Sequence, residues 1–336
     1  MSQMQNIPEG VSFDDPSIPN YSLLTMIQPP YLPKAAQIGG LPTVSVDVPA
    51  LAVLLSIYIG FAVTNMTIFQ RNRLRGHMFR PSVLLFGFCM ARIVTCILRI
   101  AWATHRTNVR LAIAAGIFIN AGILILYLVN LALAHRVFKA KRPQFRWHAA
   151  LALAIKVLYA LIVGALIMVI TATVLSFYTL NMKTRRTTRD IQLAAITYLL
   201  VISVLPLPFL AVAFLPPQDH HETTLGKGSM QSKALIITSS ATLCILIAGF
   251  KAGTAWETPR PIDHPAWFDT KAAFYVFNFT LEILALATLT LSRIDKHFYV
   301  PKVSKGTEGE WREENMSNEN NASGRASSEA KLATEL

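Results

Sequence analysis

Residues 81–103 read PSVLLFGFCMARIVTCILRIAWA, and no other stretch limits the fold as much. The run is apolar over a length that crosses a bilayer, about 20 residues. Yet it contains Arg92 and Arg99. Seven positions apart, the two arginines fall two turns apart on nearly one face of a helix. An arginine held near mid-bilayer costs from roughly 3 to more than 10 kcal/mol, depending on the scale. That face must turn away from lipid, towards polar partners that other segments supply.

The rest of the chain fits this demand. Of 336 residues, 53% are hydrophobic and only 15% charged, well below the roughly 25% of a soluble domain. The expected fold class is all-α, a polytopic seven-transmembrane-helix bundle. Apolar spans lie near 48–69, 81–103, 111–134, 149–177, 191–215, 234–250 and 272–292. Pro206 and Pro208 should kink the fifth in its second half. The sixth reads as short and rich in Ser and Thr, which suits a packed interior helix. The expected organisation is a disordered exterior tail over 1–46, a membrane domain over 47–300 and a disordered cytoplasmic tail over 301–336. Residues 1–31 have neither the basic start nor the apolar core of a cleavable signal peptide. No internal repeat marks an inverted-repeat transporter.

The net charge of +12 does not indicate nucleic acid. Much of it flanks the spans, where it sets topology. Arg71, Arg73, Arg75 and Arg80, then Arg136, Lys139, Lys141, Arg142 and Arg146, then Arg293, Lys296, Lys302 and Lys305 fall on one side. This predicts the N-terminus outside and the C-terminus inside, in the plasma membrane or an endomembrane. Lys183, Arg185, Arg186 and Arg189 break the rule, because they lie on the expected exterior side. If that side is exterior, Asn20-Tyr-Ser22 is a glycosylation acceptor at Asn20.

Polar residues inside the spans are the candidate site. With this topology, Arg92 and Glu282 lie near mid-membrane, Asn278 and Arg99 lie further out, and Asn120 sits mid-way along span three. The expectation is a polar core in which Glu282 pairs with Arg92, surrounded by Asn120, Asn278 and Arg99. A paired, hydrogen-bonded ion is tolerable where a lone one is not. Such a core is either a structural clamp or a ligand site.

Other polar groups carry less. Asp219-His220-His221-Glu222 reads as a solvated loop, since adjacent histidines do not both face one ion comfortably. Residues 251–271, KAGTAWETPRPIDHPAWFDTK, read as a loop with interfacial aromatics, alternatively as a structured exterior lid. Lys156 can snorkel to the interface. Cys89, Cys96 and Cys244 fall inside spans as small packing residues. No nucleotide loop, HExxH or CxxC is present, no histidine falls inside a span, and span seven has no mid-membrane lysine for a retinal Schiff base. No enzymatic activity, cofactor or metal is expected.

The runs ARIVTCILRIAWA, NVRLAIAAGIFINAGILILYLVNLALAHRVFKA and GTAWETPRPIDHPAWFDTKAAFYVFNFTLEI resemble a fungal family of seven-span membrane proteins of unknown function, often labelled family-C-like G-protein-coupled receptors. The resemblance covers roughly residues 48–305. It implies a receptor-like protein of the lipid bilayer that senses a small molecule or nutrient, with a G-protein α subunit as partner. A looser resemblance, in arrangement alone, is to fungal lipid-translocating exporters with an arginine-bearing early helix and a late acidic residue. It implies a lipid or small-molecule translocator tied to metabolite resistance. A membrane scaffold with neither role is a third reading.

Overall fold

The computed structural model describes residues 29–31, 36–75, 79–142, 149–215, 229–261 and 264–298, without the side chains of 149–152. Asn20, the Asp219–Glu222 cluster and the stretch after residue 298 lie outside the described residues. The chain divides into two units, Met1–Tyr299 and Val300–Leu336.

Among the described residues the regular structure is helical, and seven helices are long and apolar enough to cross a membrane. Span one is α1 (Val44–Leu74) and span two is α2 (Arg80–Thr104). Span three is broken into α3 (Val109–Gly122) and α4 (Leu124–Lys141). Span four is α5 (Ala149–Tyr178). Span five is broken into α6 (Met182–Val204) and α7 (Pro206–Phe214). Span six is α8 (Met230–Trp256). Span seven runs from α9 (Lys271–Tyr275) through one π-helical turn (Val276–Thr280) into α10 (Leu281–Leu291). A short α11 (Ile294–His297) follows.

Capping residues stand where the spans begin. Asn108 accepts from Arg110 N–H, Asn181 from Lys183 N–H, Ser229 from Ser232 N–H and Thr270 from Ala273 N–H. Each satisfies one of the backbone donors that a helix start leaves orphaned. Pro81 and Pro206 open α2 and α7, where a missing N–H costs nothing. Pro206 is therefore the physical cause of the break in span five, as its position in the sequence predicts. α8 corrects the reading of span six as short. Its 27 residues include Lys251–Trp256, which the sequence reading assigned to a loop.

The burial pattern is that of a bundle in an apolar solvent. Val53, Ile59, Val63, Leu153, Leu161, Val163 and Ile167 are exposed, while Asn65, Arg92, Arg99, Asn130 and Glu282 are buried. A water-soluble bundle places these classes the other way round. Outward apolar faces of this extent mark contact with lipid, so the chain is a multi-pass membrane protein in its architecture.

The helices pack so that span two meets spans one and three, while span six meets spans three, five and seven. Span seven also rests on span one, and three polar contacts run down that seam. Asp47 accepts from Tyr275 Oη at 2.6 Å and pairs with Lys271 Nζ at 2.5 Å. Asn65 Nδ2 donates to Thr290 Oγ1 at 3.2 Å. Asn72 Nδ2 donates to Asp295 Oδ2 at 3.1 Å. Asp295, beyond the end of span seven, also accepts from Arg293 Nε at 3.1 Å. Burial works to raise its carboxyl, but the Arg293 and Asn72 hydrogen bonds outweigh it and hold the group below the ordinary carboxylate value.

Residues 36–43 belong to the stretch read as tail, yet they pack on the bundle. We call the end of the bundle that carries them the N-side. Ala36 N–H donates to Arg260 O at 2.8 Å and Gly39 N–H to Asp269 O at 3.0 Å. Gly39 has φ +83°, and a Cβ there would stand 2.6 Å from Phe274 Cγ and 2.9 Å from an Arg99 nitrogen. Only glycine fits both the left-handed backbone and the contact. Gly39→Val combines a left-handed penalty of roughly 1–2 kcal/mol with that overlap. It should accelerate hydrogen exchange at the Ala36 and Gly39 amides about tenfold or more, while amides in the middle of α2 keep their protection.

Candidate functional site

Arg92 lies fully buried on α2, at the depth where span three is broken. Its Nη2 meets Glu282 Oε1 of α10 at 2.5 Å, and neither side chain is exposed. Both of its terminal nitrogens donate to Ile119 O at 3.2 Å, and Nη1 reaches Phe118 O at 3.4 Å. The break supplies the Ile119 acceptor. α3 ends at Gly122, and the Ile123 N–H turns to Ala121 O rather than back to Ile119 O. A carbonyl freed from its helix inside an apolar bundle is an obligatory acceptor, and Arg92 satisfies it.

Gly122 makes the approach possible. A Cβ on it would stand 3.1 Å from Arg92 Cζ and 3.3 Å from Nε. Gly122→Val pushes a branched side chain against a charged group that has no room to retreat. We expect a loss of roughly 1–3 kcal/mol, the usual range for overpacking, read as a lower melting temperature in detergent. The rings of Phe88 and Phe279 flank the guanidinium, with centroids at 5.5 and 6.0 Å, where the ring quadrupoles attract a cation. Arg92 Nε and Glu282 Oε2 are buried with no hydrogen-bond partner among the described residues.

Lys251 is the member that sequence reasoning missed. Its Nζ donates to the same Ile119 O at 3.2 Å. Two cations thus share one freed carbonyl, and the Glu282 carboxylate stands near both. The sequence signal was available: after Lys251 the chain runs AGTAWET and meets its first proline only at Pro259. The helix had no reason to stop at 250.

Arg99 is separate from this pair. It is 2% exposed, its Nη2 donates to Gly39 O at 3.2 Å, and its guanidinium stacks on Phe274 with the ring centroid at 3.9 Å. Its Nε has no partner among the described residues. Asn278, in the π-helical turn, is buried. That turn adds a residue to the helical repeat, which re-aims side chains on either side of it. Asn120 is exposed and its Nδ2 bonds back to Gly116 O at 3.1 Å. The structure therefore brings Arg92 and Glu282 together. It places Arg99, Asn120 and Asn278 around a cavity towards the N-side, and the side-chain hydrogen bonds of Arg99 and Asn120 go to Gly39 and Gly116 rather than to that pair.

This cavity has two compartments. The larger, about 410 Å³, is lined by Arg99, Asn120, Asn278, Lys251, Gln192 and Arg185 among others, with Gln37 and Ile38 of the N-terminal segment. Its volume lies within the ~300–1,000 Å³ of small-molecule sites. The smaller, about 230 Å³, is mostly apolar, with Tyr127, Leu166, Ile170 and Leu199 in its wall. Lys251, Asn120, Gln192, Thr173 and Ile38 border both.

One further residue departs from the sequence reading. His135 lies inside α4, because span three extends to Lys141, so one histidine does fall within a span. Asn130 Nδ2 donates to Cys244 Sγ at 3.3 Å, tying span three to span six. The three cysteines are free and buried. No family model, curated protein or solved structure matches the chain.

Proposed function

We propose that this chain is a receptor-like membrane protein that binds a small molecule in the N-side cavity. Lys251 carries the reading, because it borders the cavity and at the same time bonds the carbonyl that Arg92 uses. A ligand that engages Lys251 Nζ leaves Ile119 O to Arg92 alone, at the break in span three. Ligand occupancy thereby acquires different contacts in two arrangements of the helix, which is what a population shift requires. The N-side is the exterior in this reading, and the signal leaves through the basic loops of the opposite end to a G-protein α subunit. The fungal seven-span family that the sequence resembles is the proposed home of the chain.

The second reading, a translocator, is favoured by the apolar compartment beside the polar one. Proteoliposomes holding the purified chain and a fungal G-protein α subunit separate the two. A receptor raises nucleotide exchange on the α subunit when a cavity ligand is added, and Asn120→Phe, which fills the cavity, abolishes the rise. Transbilayer flux of a labelled lipid with no change in exchange contradicts the receptor.

A further inference from the structure

We infer that the N-side cavity takes an anionic amphiphile, a molecule with a carboxylate or phosphate head on an apolar chain. The inference rests on the ligand role proposed for the same cavity and names its chemical class. The polar compartment is bordered by Arg99, Lys251 and Arg185, and no Asp or Glu lines either compartment among the described residues. Among the described residues, two buried carboxylates act on these cations, and each already faces a closer one: Glu282 pairs with Arg92, and Asp47, which attracts Arg99, pairs with Lys271. The positive charge at the cavity therefore exceeds what the protein itself neutralises. Arg99 is 2% exposed, and its Nε has no partner among the described residues. A desolvated cation beside an open volume attracts an anion far more strongly than an exposed one does.

The apolar compartment supplies the second half of the specificity. It shares Lys251 and Asn120 with the polar one, so a head on Lys251 leaves its chain directed between Leu166, Ile170 and Leu199. A hydrophilic anion would leave that space unfilled, and a neutral lipid would leave the cations unpaired.

The same reading explains three of the four basic residues that violate the topology rule. Arg185, Arg186 and Arg189, joined by Arg260, line a vestibule of about 690 Å³ that shares Arg185 and Gln192 with the cavity. Their charge is placed to draw an anion towards the site, a focusing effect that overrides the usual depletion of basic residues on one side.

The test is native mass spectrometry of the full chain in a neutral detergent, titrated with decanoate, decyl phosphate, decanol and decyltrimethylammonium. A two-chain phosphatidic acid forms a further arm. We expect decanoate or decyl phosphate to bind at least tenfold tighter than decanol and decyltrimethylammonium. Lys251→Met should weaken the acids tenfold or more while moving decanol less than twofold. Arg185→Gln, at the vestibule and away from the helix break, should weaken them about threefold and serves if Lys251→Met does not fold. Retention of phosphatidic acid alone, lost in the same variants, supports the class and identifies the source as bilayer lipid. Equal binding of decanol or the cationic amphiphile overturns the anionic class and leaves the cavity a ligand site. No binding of any amphiphile overturns both. Acid binding unchanged in Lys251→Met and Arg185→Gln places the acids elsewhere and overturns the inference.

Discussion

Glu282→Gln is expected to destabilise the bundle by about 3–5 kcal/mol, the range for a buried ion pair that loses one partner. The variant leaves Arg92 without a counter-charge at zero exposure, with Lys251 bonded to the same carbonyl. Removing the other partner should be gentler. A guanidinium stays charged wherever it is placed, whereas an isolated buried carboxyl neutralises by taking a proton. In Arg92→Gln, moreover, Lys251 remains near Glu282. The predicted order is therefore wild type, then Arg92→Gln, then Glu282→Gln, read as the midpoint of SDS-induced unfolding in mixed micelles. The reverse order would mean that the carboxylate, not the guanidinium, is the costlier group at this depth.

The second large effect is expected at Asp47. Its carboxylate is fully buried and accepts from Thr43 N–H at 2.7 Å, Thr43 Oγ1 at 3.0 Å and Tyr275 Oη at 2.6 Å, besides pairing with Lys271. Asp47→Ala removes all of these at once. Lys271 is 30% exposed and turns to water, so its charge adds little to the loss. The Tyr275 hydroxyl and the Thr43 amide are left without their acceptor. About 2–3 kcal/mol is expected, from the value of hydrogen bonds to charged groups and the cost of orphaned donors. The loss should appear locally as well. Spans one and seven separate first at the N-side, so amides at 270–276 should lose protection while those at the Asn65–Thr290 contact keep theirs.

Much of this architecture could be read from the chain, for one physical reason. A bilayer demands long apolar runs, so the seven spans and the internal arginines are visible as patterns of residue type. Pro206 marks the break in span five because proline removes a backbone donor. The break in span three is silent in the same reading. AGIL, at 121–124, contains no proline, and the break shows only as the Ile119 carbonyl turned to side chains of other spans. Backbone acceptors have no residue signature. Lys251 and Asp47 were missed for another reason. Both sit within a turn or two of a span's end, where a hydropathy boundary and a helix end differ. Asn120 was grouped with the ion pair because it shares its depth. Depth does not fix which way a side chain points, and Asn120 faces the cavity.

The same distinction separates clamp from site. The Arg92–Glu282 pair has the enclosure of a structural clamp, while Arg99, Lys251 and Asn278 border open volume. Ile119 O joins the two, since it receives hydrogen bonds from Arg92 on one side and Lys251 on the other.

That the buried pair organises the bundle is tested most directly by a double-mutant cycle on Arg92→Gln and Glu282→Gln, read from unfolding free energies in mixed micelles. The account predicts a double variant less destabilised than the sum of the singles, by about 1–3 kcal/mol. Additive losses would contradict it.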